Sequence, residues 1–305
     1  MKVIYITGWL RSGSTILGNV LNELPGVLHA GEVHYLWKNG VLRHGTNSLC
    51  GCGEQVRQCP LWSSVVSTLD TPDLGRLATQ MMTWQRRALR TRHTRARLAH
   101  TPDEVRAAVD RTVALYRALA ERGAERAIVD SSKYPAEAAA LLQRSDVDLR
   151  VVHIVRDPRA TAYSYLRAKR YIDPMSPAAS TSNWVGFNVA SELVGNAANG
   201  RYLRVRHEDL TREPKRIVAE VLRFAGLDDE SPVGDDGKVT LGVNHTVTGN
   251  PDRLSQGVVA IRPDERWRTE LPLGHSAVST ALALPLLRRY RYPLLARGEP
   301  SWTSV

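Results

Sequence analysis

No run of uninterrupted apolar residues in the 305-residue chain reaches the roughly 18 needed to cross a bilayer, so no integral membrane segment is expected. Cysteine is scarce. Cys50, Cys52 and Cys59 lie together in Cys-Gly-Cys-Gly-Glu-Gln-Val-Arg-Gln-Cys, and an odd, clustered set is not the paired framework of a secreted disulfide-rich fold. A long apolar leader is missing too. The stretch that opens Met1-Lys2-Val3-Ile4-Tyr5-Ile6-Thr7-Gly8 is interrupted at Arg11, too early for a secretory core, and a cytoplasmic location is expected. There is no internal repeat, no low-complexity tract and no break in composition that would separate domains.

What is present is an ordinary globular balance, 43% hydrophobic and 24% charged, with one domain expected over residues 1–305. Lys and Arg outnumber Asp and Glu by 41 to 31, a net charge of +10, and such a field attracts anions. Nucleic acid, an anionic membrane and a small ligand with several phosphates all fit that field. Arg86, Arg87, Arg90, Arg92, Arg95 and Arg97 form a stretch over 86–97 with no acid. It reads either as a site for an anionic acceptor or nucleic acid, or as a solvated helix face.

Residues 2–7 read as a buried strand, and 14–24 as a helix with Ile16, Leu17, Val20, Leu21 and Leu24 at helical spacing. Residues 40–60 are loop-like, and helices are expected at 61–70, 73–99 and from 101 to about 122. Ala127–Val129 and Leu149–Val155 are strands, with helices at 135–144, 158–171, 182–197 and 214–225 and a further strand at 201–206. Residues 228–240, rich in acids, Gly and Pro, are expected to be a mobile loop. Strands alternating with helices predict an α/β domain with a central parallel sheet flanked by helices, P-loop-like, carrying a helical insert at about 60–122 that packs on the sheet or forms a lid.

The sharpest local pattern is Gly8-Trp9-Leu10-Arg11-Ser12-Gly13-Ser14-Thr15, between the first strand and the first helix. Unpaired backbone N–H groups at a helix start, aided by the helix dipole, bind anions, and Gly13 lets the backbone approach closely. The spacing of Gly8, Gly13 and Thr15 matches the nucleoside-triphosphate loop G-x-x-x-x-G-K-[ST], but Ser14 stands where that loop has Lys. With that Lys gone and Arg11 as the local cation, the loop suits a group held without a required metal. A plain Ser/Thr helix cap is the simpler alternative, but caps rarely combine Arg, two Ser, Gly and Thr.

A second constellation follows the strand 149–155: Arg156-Asp157-Pro158-Arg159, with Ser164 about two turns along the next helix. The strand delivers Arg156 to its carboxyl end, where open α/β sheets bind ligands, and a guanidinium fork with a hydroxyl can grip a second phosphate. A plain strand-to-helix turn with a surface Arg is the other reading.

Taken together and in this order, Arg11-Ser12-Gly13-Ser14-Thr15 and Arg156 through Ser164 resemble the sulfotransferases that use 3′-phosphoadenosine 5′-phosphosulfate. The pattern is nearest to bacterial carbohydrate, natural-product and tyrosylprotein members. The resemblance implies that Arg11, Ser12, Gly13, Ser14, Thr15 and Ile16 hold the 5′-phosphosulfate, and Arg156 and Ser164 the 3′-phosphate. It further places His207, where the family often has Tyr, near the adenine, and makes Arg253 in Gly249-Asn250-Pro251-Asp252-Arg253 a 3′-phosphate cation. The implied products are 3′,5′-bisphosphoadenosine and a sulfated small molecule or carbohydrate, with no metal and no nucleic acid required.

Transfer of a sulfuryl group needs a base for the acceptor and stabilisation of the leaving phosphate. Glu32, in His29-Ala30-Gly31-Glu32-Val33-His34, is the candidate base and resembles the Glu used in one branch of that family; His29 and His34 are rivals. Arg11 is placed to meet the leaving group. Lys133, in Asp130-Ser131-Ser132-Lys133, is implied by the resemblance to contact the sulfuryl group or the acceptor, with Asp130 and Ser132 orienting the turn. The cysteines, with His44 nearby, have the makings of a four-ligand zinc site, but a local disulfide or free thiols is the expectation. The competing functions are a P-loop kinase or other nucleotide phosphotransferase, and a basic nucleic-acid-binding protein.

Overall fold

The computed structural model describes residues 1–45, 47–123, 125–167 and 173–295. The chain begins β1 (Lys2–Thr7), α1 (Ser14–Asn22) and β2 (Val27–Gly31). A helical stretch follows: α2 (Pro60–Val66), α3 (Leu74–Ala88), α4 (Thr94–Ala99) and α5 (Asp103–Gly123). The sheet resumes with β3 (Ala127–Lys133), α6 (Pro135–Leu141), β4 (Asp148–Val155), α7 (Pro158–Leu166), α8 (Pro177–Ala197) and β5 (Tyr202–Arg206). The remainder is α9 (His207–Arg212), α10 (Pro214–Ala225), β6 (Lys238–Leu241), β7 (Gly257–Ala260), α11 (Trp267–Glu270) and α12 (Leu273–Arg289).

Strands β1 to β5 form a five-stranded parallel sheet in the order β2-β3-β1-β4-β5. The expected α/β architecture is therefore present. Alternation along β1 divides the core. Val3 and Tyr5 join a buried cluster with Trp62, Met81 and Leu119 of the insert helices, while Ile4 and Ile6 face Leu17 and Leu21 of α1 and Val218 and Val221 of α10. The 60–122 insert thus packs on one sheet face rather than hanging over the cleft. The chain leaves β1 toward β2 on one side of the sheet and leaves the neighbouring β4 toward β5 on the other, so the carboxyl ends of β1 and β4 flank a topological switch point, where such sheets bind ligands.

Three expectations are revised. The helix expected over 73–99 is broken: Leu89 and Arg90 leave helical geometry, Arg90 turns in to donate to the Tyr134 hydroxyl at 3.1 Å, and Arg97 is buried. The basic stretch is therefore not a uniformly solvated face. Of the loop expected at 228–240, residues 228–237 are irregular, but 238–240 open β6, which pairs antiparallel with β7, a partner too short and too distant in sequence to be read in advance. The helix expected over 158–171 ends at Leu166, and residues 168–172 lie outside the described residues.

Candidate active site

The chain leaves β1 into a turn that uses left-handed backbone at Arg11 (φ 69°) and Gly13 (φ 90°). Gly13 is required: a Cβ there would sit 2.4 Å from His207 Nδ1. Gly13 precedes α1, and no side chain among the described residues caps that helix start, whose first-turn residues Ser14, Thr15 and Ile16 line the cleft. Ser12 Oγ is buried with no partner among the described residues. A free helix start, a close-approach glycine and an orphaned hydroxyl together fit an anion cradle.

Two irregularities in the sheet bring the chemical residues to the same place. Strand β3 carries extra length opposite β1, with Tyr5 facing Asp130 but Thr7 facing Lys133, and Lys133 itself is left-handed (φ 75°). Strand β2 slips against β3 between His29 and Gly31, one residue before Glu32. Such bulges re-aim side chains at sheet ends. Lys133 Nζ forms a buried ion pair with Glu32 Oε1 and donates to Ser131 O at 3.0 Å. Asp130 accepts from the Ser132 N–H at 2.7 Å and from the Tyr116 hydroxyl, and burial beside Glu137 raises its pKa to about 7. It holds the turn, as expected of it.

The second motif meets the first. Arg156 Nη1 donates to Arg11 O at 3.0 Å, and Arg11 Nε donates to Ser164 Oγ at 3.1 Å. Asp157 starts α7 by accepting from the Arg159 N–H and binds the fully buried Arg159 guanidinium through both carboxylate oxygens. Arg159 also donates to Pro293 O and Leu294 O, so it anchors the C-terminal segment rather than a ligand. Burial together with the Arg156 charge holds His207 well below the ordinary imidazole pKa, leaving it neutral beside the anion loop.

An open cleft of about 450 Å³ contains both groups. Arg11, Gly13, Ser14, Thr15 and Ile16 line one part, Arg156 and His207 another, and Glu32 and Lys133 the floor. Ser12 and Ser164 stand behind that lining. Arg253 does too among the described residues: it is buried, with Nη2 donating to Leu49 O at 2.9 Å. Among the described residues, the downstream cation that reaches the cleft is Arg262. Tyr35, Lys38 and Asn47 also border it, and no motif in the sequence marks them. The rival bases lie elsewhere. His29 is under α1 between Asn19 and Ser131, with its pKa lowered to about 3 by burial and then by Lys133. His34 is buried against Glu137 and the Tyr134 ring. Away from the cleft, the three cysteines converge not on His44 but on His245.

Against known proteins, the model of the Sulfotransferase family matches residues 4–231. Human carbohydrate sulfotransferase 3 is 28% identical over 177 residues, covering 52% of this chain and 36% of the human protein. The mouse carbohydrate sulfotransferase 3 is 27% identical over 183 residues, covering 54% of this chain and 38% of the relative. The alignments thus span little more than a third of these curated relatives. Among solved structures, the sulfotransferase domain of the Synechococcus PCC 7002 olefin synthase superposes with a TM-score of 0.57 at 22% identity, over 96% of this chain and 95% of that one. The sulfotransferase domain from the curacin biosynthetic pathway gives 0.54 at 18% identity, over 96% and 98%. At these identities the likeness concerns the fold.

Proposed function

The chain belongs to the sulfotransferase family, and from that premise we propose that it transfers the sulfuryl group of 3′-phosphoadenosine 5′-phosphosulfate to a hydroxyl of a small molecule or carbohydrate. The observation that carries this reading is the single cleft shared by the α1 helix start and Arg156, with Glu32 and Lys133 on its floor. The donor's 5′-phosphosulfate fits the Gly13–Ile16 cradle and Arg11, and its 3′-phosphate fits Arg156. Arg262 serves as a second cation in the role first given to Arg253, and neutral His207 lies near the base. Carbohydrate relatives favour a sugar hydroxyl as acceptor.

In the reaction, the acceptor oxygen bonds to sulfur while the bond from sulfur to the bridging phosphate oxygen breaks. The acceptor proton passes to the Glu32 carboxylate. Charge building on the leaving phosphate is met by Arg11 and the helix start, preorganised donors of the kind whose single removal costs on the order of 10²–10³ in rate. Lys133, paired with Glu32 at rest, supplies a cation to the sulfuryl oxygens. With Ser14 where a triphosphate loop has Lys, the site relies on its own Arg and Lys side chains, and transfer proceeds without magnesium.

Thermal unfolding with ligands tests this. The bisphosphate product at about 100 times its dissociation constant should add roughly 2.7 kcal/mol of stability, and ATP with magnesium much less. Labelled donor should then pass its sulfur to members of a carbohydrate panel. Stabilisation by ATP–magnesium alone, with no transfer, would instead assign a phosphotransferase.

A further inference from the structure

The loop around Cys50 meets the segment around His245 behind one wall of the cleft. Leu49 pairs with Gln55 across a tight turn in which Cys50 N–H donates to Glu54 O at 2.7 Å and Gly53 N–H to Cys50 O at 2.9 Å. Gly51 N–H donates to Thr246 O at 2.9 Å, and a Cβ on Gly51 would lie 1.9 Å from Asn244 Oδ1. Cys59 sits just before α2, its N–H bonded to Gln55 O at 2.8 Å. Trp62 Nε1 donates to His245 O at 2.6 Å. Backbone bonds on both sides thus fix where the four side chains point.

They point at one another. The donor atoms of Cys50, Cys52, Cys59 and His245 all lie within 4.8 Å. Cys50 Sγ is 3.5 Å from Cys59 Sγ, and His245 Nδ1 is 3.2 Å from Cys59 Sγ and 3.8 Å from Cys50 Sγ. Tetrahedral zinc, with Zn–S near 2.3 Å and Zn–N near 2.0–2.1 Å, sets its donors about 3.5–3.8 Å apart. We propose that Cys50, Cys52, Cys59 and His245 bind one zinc ion as a closed, four-ligand structural site.

The donor set selects the metal. Three thiols and an imidazole are ligands for zinc, and so small a spacing admits a single ion rather than an iron–sulfur cluster. With four protein ligands no position is left for water, so the ion takes no part in sulfuryl transfer. The cysteines bind as thiolates and release their protons when the metal enters. A Cys50–Cys59 disulfide is the competing arrangement. It would use two of the four groups and leave the convergence of Cys52 and His245 without a purpose.

The site's position gives it a consequence. Two residues beyond His245, Val247 bridges to both Cys50 and Gly31, and its carbonyl accepts the Glu32 N–H at 2.7 Å. Thr248 and Asn250 then line the cleft, where the Asn250 N–H donates to Thr15 Oγ1 at 3.4 Å. The ion therefore pins to the 49–59 loop the segment that holds the base and touches the anion loop.

The full chain, purified with reductant and without chelator, should carry close to one zinc by plasma mass spectrometry. Reconstitution with cobalt should show the visible bands of a tetrahedral, thiolate-bound ion. His245→Ala should weaken zinc binding by at least the ~10–100-fold that changes around a metal's ligands cost. His245→Cys, which restores a fourth donor, should keep the metal, so a poorly folding alanine variant does not obscure the result. Chelation should lower the melting temperature of the wild type while leaving that of Cys52→Ser unmoved. Wild type without zinc and without the cobalt bands would overturn the proposal. So would a Cys50–Cys59 disulfide found by alkylation mapping, or iron with inorganic sulfide in place of zinc.

Discussion

At the scale of single residues, the account rests on Glu32 as base and on a backbone that needs Gly13. Glu32→Gln keeps the size of the side chain and one oxygen to accept from Lys133, but it loses the charge and cannot take a proton. It should bind the bisphosphate as wild type does, while turnover falls on the order of 10²–10⁴-fold; unaltered turnover in a single-turnover assay would remove Glu32 from the role. Gly13→Ala places a methyl 2.4 Å from the His207 ring on left-handed backbone. Calorimetry should show it losing nucleotide affinity. Most of these residues were legible because their types are tied to their chemistry: Arg11, Ser14, Thr15 and Arg156 sit where a strand gives way to a helix. Arg253 and Arg262 were not distinguishable, since both are cations in an irregular segment. In the fold Arg253 is held back, its guanidinium donating to Leu49 O and its carbonyl accepting from Asn244 Nδ2, while Arg262 lines the cleft.

At the scale of elements, sequence reading did best where periodicity was strong. β1, β4, α1 and α10 each fall within a few residues of expectation. It did worst where geometry depends on distant partners. The bulges in β2 and β3 that aim Glu32 and Lys133 leave no mark in the sequence pattern, because both strands are buried from end to end and an inserted residue breaks no alternation of buried and exposed positions. The break after α3 follows from Arg90 reaching Tyr134, a contact across 44 positions. Element starts also carry energy. Asp157 both caps α7 and neutralises the buried Arg159. Asp157→Ala leaves that guanidinium uncompensated and should destabilise the fold by about 3–5 kcal/mol in urea titrations. A loss below 1 kcal/mol would mean that Arg159 is solvated.

At the scale of the molecule, buried imidazoles set the acid limit, with His207 of the cleft held well below its ordinary pKa alongside two others. His29, and His153 between Tyr202 and Asn188, are both depressed to about 3, mainly by burial. Their folded-state pKa values lie below the unfolded value of about 6.5. The unfolded chain therefore binds more protons below that pH. The stability they protect is complete above about pH 6.5 and is lost as pH falls toward 3, by up to about 1.4 kcal/mol per pH unit for each histidine. His153→Gln should flatten that slope by one proton's worth in denaturation curves recorded from pH 7 to 4. An unchanged slope would show that His153 is protonated in the fold.

The whole-molecule claim is that one cleft grips a nucleotide by phosphates at both ends of the adenosine. Calorimetric titration of wild type and Arg156→Ala with 3′,5′-bisphosphoadenosine and with adenosine 5′-phosphate tests it most directly. A charge-assisted contact of about 1.5–3 kcal/mol predicts that wild type prefers the bisphosphate by roughly tenfold to a hundredfold, and that Arg156→Ala loses this preference while still binding the 5′-phosphate. Equal wild-type affinity for the two nucleotides, or a preference that survives in Arg156→Ala, would contradict it.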